Sequence, residues 1–125
     1  MAILTEDRFA GAAHYIVSEA SGYRSREQVV IEGGSGVLKA GTVLGKVSAS
    51  GKYAPYDPTL ETGVEVASAI LYEGCDATSA DQRRTVTLRD TEIQAQVLHW
   101  GASVTTDQLK TDALTHLAGA GIIAR

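Results

Sequence analysis

Residues 40–47, Ala-Gly-Thr-Val-Leu-Gly-Lys-Val, set a glycine and a lysine behind a strand-like stretch, the residue types from which a phosphate-binding loop is made. In such a loop backbone N–H groups cradle the phosphates, the lysine reaches the outer oxygens and a following Ser or Thr holds magnesium. The spacing here fails twice. Ala40 stands five positions before Gly45 where a glycine is required, and Val47 replaces the hydroxyl. Gly33-Gly34-Ser35-Gly36 has neither the spacing of a dinucleotide fingerprint nor a helix after it, and reads as a flexible turn. His14, His99 and His116 have no metal-ligand spacing, and Cys75 has no nearby partner. None of Ser18, Ser21, Ser35 and Ser79 sits in a Gly-x-Ser-x-Gly elbow. Asp76, Asp81, Asp90 and Asp107 lack the alternation of a calcium loop and read as turn residues. The expectation is a chain with no catalytic, cofactor-binding or metal site.

The remaining candidates are groups suited to binding. Tyr15, Tyr23, Tyr53, Tyr56 and Trp100 each combine apolar area with a polar edge, the combination enriched at interface centres. Tyr72 reads as core. Tyr23-Arg24-Ser25-Arg26-Glu27 mixes an aromatic with both charge signs, and Tyr15-Ile16-Val17 has strand propensity. Both lie in residues 1–28, where short apolar pairs are broken by charges, glycine and serine, with no sustained period of 2 or 3.6. Such a segment buries too little to order itself alone, so it is expected to be an extended arm that pairs with another protein's sheet edge. Its deletion is expected to leave a folded body.

That body, residues 29–125, is expected to be a single domain, mainly β with one C-terminal helix. Residues 42–47 read as a half-buried strand with Gly45 as a bulge or close approach, 48–52 as a hairpin tip, and Pro55 and Pro58 as the end of sheet pairing. Residues 64–72 are almost wholly apolar, as in a central strand, and 74–82 read as loop. Residues 85–90 and 93–97 alternate and are expected to be strands, or one strand bent at Asp90-Thr91. Thr105 with Gln108 three residues on suggests a capping box, Leu109, Ala113 and Leu117 share a helix face, Gly119 suits the C-terminus, and Ile122-Ile123 a closing strand.

Composition excludes other classes. With 125 residues the chain has room for one domain, and its net charge of −4 without a basic cluster argues against nucleic acid as a partner. One cysteine precludes an internal disulfide and suits a reducing cytoplasm. No run approaches a membrane span or a signal-peptide core, so synthesis in the cytoplasm is expected. No small-molecule substrate is expected either.

In order, SEASGYRSRE (18–27), AGTVLGK (40–46), YDP (56–58) and AIL (69–71) resemble the head decoration protein D family of tailed bacteriophages, with the resemblance running from about Ile16 to the C-terminus. The resemblance implies a β-clip-like bent ribbon with an extended N-terminal arm. It implies a non-enzymatic virion protein that binds the major capsid protein on the outer surface of the expanded head. It further implies homotrimers at threefold positions that stabilise the shell against packaged DNA. Capsid contact then falls to the arm residues Tyr15, Ile16, Val17, Tyr23, Arg24, Ser25, Arg26 and Glu27, with Tyr53, Tyr56 and Trp100 as trimer or capsid interface. The competing expectations are a trimeric β-clip enzyme such as a nucleotide hydrolase, and a head-to-tail or tail component of the virion.

Overall fold

The computed structural model describes residues 12–125. It is mainly β, with a single α-helix near the C-terminus among the described residues. Five strands form a closed barrel in the order β2 (Arg26–Ile31), β5 (Tyr53–Pro55), β4 (Val43–Lys46), β6 (Ala67–Leu71) and β8 (Gln82–Thr87). The long stave contact is β2 against β8, antiparallel from Arg26↔Thr87 to Ile31↔Gln82. The closing contact is the parallel pair Ile31↔Tyr53 between β2 and β5, so the barrel has a narrow seam there. A three-stranded sheet joins β1 (Ile16–Glu19) antiparallel and β10 (Ile122–Ala124) parallel to β9 (Thr91–Ile93), and β3 (Gly36–Leu38) pairs with β7 (Cys75–Ala77) in a two-stranded ribbon.

β6 is apolar at every position but Ser68 because it packs against two cores. Ala69 and Leu71 join Ile31, Leu44, Tyr53 and Val86 in one core, while Ala67 and Ile70 join Tyr15, Val43, Ile93, Leu117 and Ile122 in a second. A strand buried on both faces loses the polar half of its pattern. The second core lies under α1 (Asp107–Gly119), whose Ala113 and Leu117 are fully buried and whose Leu109 and Leu114 pack at its edge.

Several local expectations are corrected. The helix cap is Thr106, which accepts from the Leu109 N–H at 3.3 Å, and Gln108 donates to Asp112 at 2.9 Å instead of closing a capping box. The helix keeps Gly119, and the left-handed glycine that ends it is Gly121, at φ 89°. Residues 93–97 do not continue as a strand: both neighbours of β9 end at Ile93, and a 3-10 turn, Ala95–Val97, follows. Pro55 does end sheet pairing as expected, as the last residue of β5 opposite Leu44, where an end position tolerates the missing N–H. The expected 74–82 loop contains β7. The expected fold class holds, mainly β with one C-terminal helix, and the Ile31↔Tyr53 pair closes its main sheet into a barrel.

The body also begins well before Val29. Tyr15 is fully buried in the second core, β1 is the edge of the three-stranded sheet, and Arg26, Glu27 and Gln28 are half of β2. Of the expected arm, residues 1–11 lie outside the described residues.

Candidate interaction surface

The expected arm residues divide into those that face inward and those that face out. Tyr15 bonds through Oη to Thr87 Oγ1 at 2.6 Å, and burial pushes its phenol well above the ordinary range. Ile16 packs half-buried against the same core. Ser25 is fully buried and donates to Glu19 at 2.7 Å, while its carbonyl accepts from the Leu88 N–H at 2.8 Å.

Arg26 is held from three directions. Its guanidinium pairs with Glu19, with Nε at 3.2 Å from Oε2, and its Cζ lies 4.3 Å from the Tyr72 ring centroid and 5.7 Å from that of Tyr23. The hydrogen bonds from Arg26, with a smaller contribution from Ser25, hold the Glu19 carboxyl below its usual value despite partial burial. These contacts close the segment between β1 and β2 into a latched loop, and two further pairs fasten it: Arg24 to Asp90 at 3.8 Å and Arg89 to Glu27 at 2.8 Å.

The sign of the resulting pH dependence follows from the lowered carboxyl. Glu19 contributes stability that is present above the unfolded-state carboxyl range of roughly 4.3 and is lost as pH falls through the folded value. Glu19→Gln is therefore expected to lower Tm at pH 7, with the gap to the parent chain closing as thermal melts are taken toward pH 3. A gap that stays constant over that range would show that the ion pair does not contribute through its charge.

Other residues of the segment face outward. Val17 is 56% exposed and Tyr23 81% exposed, and Arg24 and Glu27 are exposed as well. Tyr53 and Tyr56, expected at an interface, are buried core residues, because β5 turns Tyr53 into the barrel and Tyr56 stacks edge-on against Trp100 and His116. Trp100 packs at the margin of the second core and lines a surface groove. Exposed Val37 and Leu60 were missed by the sequence reading; Val37, between a glycine turn and Lys39, carried only the weak signal of an apolar residue in a polar stretch.

The groups that invited chemical readings have structural positions. Asp57 and Asp76 each accept from the backbone and hydroxyl of the threonine two residues on, Thr59 and Thr78, and these bonds lower both carboxyls. Asp81 pairs with Lys52 at 2.7 Å and caps the Gly33 N–H. His116 Nδ1 accepts from the Ala67 N–H at 3.2 Å, fastening α1 to β6, and His14 bonds the Val97 carbonyl. Among the described residues no three metal-ligating side chains cluster, and no helix is long and apolar enough to cross a membrane.

No curated protein matches the chain. The family model for bacteriophage lambda head decoration protein D matches residues 3–122, which takes in both cores, the latched loop and the helix. The match takes in β1 to β9 and reaches the first residue of β10: the chain belongs to the bacteriophage lambda head decoration protein D family.

Proposed function

We propose that this protein binds as a trimer to the outer surface of an expanded phage head, touching the major capsid protein, and stabilises the shell against the pressure of packaged DNA. Membership of a head decoration family supports a place on the virion surface and a structural rather than enzymatic role. The observation that carries the finer reading is the latched loop, which spends its buried and ion-paired groups on the body and holds Tyr23 81% exposed, with Val17, Arg24 and Glu27 also exposed. A rigidly supported tyrosine loses little conformational freedom on binding. Tyr15, Ile16, Ser25 and Arg26 serve in this reading by holding the loop, and residues 1–11 extend the contact. Three copies on one trimer raise the overall affinity through effective concentration even where each contact is weak.

The test is co-sedimentation of the purified chain with expanded heads. The parent chain should saturate the heads in surface copies, and Tyr23→Ala together with Val17→Ser should weaken binding at least about tenfold with thermal melting unchanged, as for a central contact residue. Full binding by the double variant would remove this surface from the reading; failure of the parent chain to bind heads would remove the reading itself.

A further inference from the structure

Tyr72 follows the last residue of β6 and, although it reads as core in the sequence, it is half-buried and belongs to neither core. Its backbone is fixed on both sides. The N–H donates to the Thr85 carbonyl at 3.1 Å, and the carbonyl accepts from the Ala13 N–H at 2.9 Å. The ring is thus carried by the barrel itself. Over it lies the Arg26 guanidinium, with Cζ 4.3 Å from the ring centroid, and the same Cζ lies over the Tyr23 ring at 5.7 Å.

A guanidinium donates hydrogen bonds in its own plane and stacks through its faces. Glu19 takes the first kind of contact and the two tyrosines take the second. The two stacking contacts are unequal. Attraction between a cation and a ring holds to about 6 Å from the centroid, so the Tyr72 contact is well inside that range and the Tyr23 contact is near its edge. Tyr23 is 81% exposed, and a cleft of about 290 Å³, lined also by Gln28, Tyr72 and Glu73, opens beside it. Its ring gains little from burial of its own, so its position depends on the guanidinium next to it. Support therefore runs from the barrel to Tyr72, then to Arg26, then to Tyr23.

We propose that Tyr72 is a positioning residue for head binding: its ring holds Arg26, and through Arg26 the Tyr23 side chain, in the orientation that meets the capsid. The ion pair with Glu19 sets where the guanidinium sits, and the Tyr72 ring sets which way its face turns. This assignment rests on the reading that Tyr23 is a contact residue.

Co-sedimentation with expanded heads tests it. Tyr72→Leu keeps apolar bulk without an aromatic face and is expected to weaken binding about threefold, the size of one exposed cation–π contact, while Tyr72→Phe binds as the parent chain does. In a Tyr23→Ala background Tyr72→Leu should weaken binding no further, because a residue acting through Tyr23 has nothing left to position. Equal weakening in both backgrounds would show that Tyr72 touches the head itself and overturns the proposal. Full binding by Tyr72→Leu while Tyr23→Ala is impaired overturns it too, and leaves the contact reading standing. Full binding by Tyr23→Ala alone removes the contact reading and the proposal with it. NMR relaxation of the Arg26 Nε–H reads the same coupling in the free protein, without heads. Tyr72→Leu should lower its order parameter into the flexible range below about 0.6, and Tyr72→Phe should leave it at the parent value. An unchanged order parameter in Tyr72→Leu overturns the proposal whatever the heads show.

Discussion

Removing residues 1–28 is expected to abolish cooperative folding, whereas removing residues 1–11 leaves a folded body. The longer deletion takes Tyr15 from the second core, the whole of β1, the latch of Glu19, Ser25 and Arg26, and half of β2. Loss of a buried aromatic side chain alone costs about 3–5 kcal/mol. Arg26, Glu27 and Gln28 also supply the pairing of Thr87, Val86 and Thr85, so the barrel would lose part of a stave and expose the β8 edge. Total stabilities of domains this size are about 5–15 kcal/mol, so these losses together exceed what the fold can absorb. The shorter deletion touches none of these contacts. Urea unfolding followed by circular dichroism distinguishes the outcomes: a sigmoidal transition for residues 29–125 with a slope near that of the full chain would show that the body does begin at Val29.

That residues 15–28 contribute to the body was not legible in the sequence, for a physical reason. β1 has four residues, and β3, β5 and β7 have three each. At that length neither period nor propensity has room to register, and the strands exist because partners far along the chain pair with them, such as Ile93 for Ile16 and Cys75 for Leu38. Tyr15 and Tyr23 illustrate the same limit at the surface. Both are tyrosines in polar, broken surroundings, yet Tyr15 is fully buried and Tyr23 is 81% exposed, and only the tertiary path decides between them.

Longer elements were legible. β6 followed from its apolar run and α1 from the spacing of Ala113 and Leu117, whereas alternation from residue 85 on showed only the last three residues of β8. The turn at Asp90, with φ 52°, falls where a bend between two strands was expected. Barrel closure was not legible, since it rests on one residue pair between strands more than twenty positions apart.

Gly45 joins the sequence motif to the packing, and Gly45→Ala is expected to be among the most destabilising single substitutions in the chain. The β4–β6 register shifts between Leu44 and Gly45, and at that irregularity the backbone of residue 64 crosses over the glycine. A Cβ on Gly45 would stand 2.5 Å from Val64 Cα and 2.7 Å from its carbonyl oxygen. Those atoms are backbone, so relief requires displacing a segment that is itself fixed by the Asp57 N–H bond to the Val64 carbonyl at 3.1 Å and by burial of the Val64 side chain. Forcing one carbon into such a contact costs about 3 kcal/mol, the upper part of the usual overpacking range. For a chain of this length that is a fall in Tm of about 10 °C. Gly51→Ala is the control. Gly51 sits at the hairpin tip with φ 74° and open space around its α-carbon, so its alanine variant bears only the left-handed backbone penalty of about 1 kcal/mol. Thermal melts of the two variants should therefore separate clearly. If they coincide, the glycine of the Leu-Gly-Lys sequence is there for backbone freedom alone and not because Val64 lies against it.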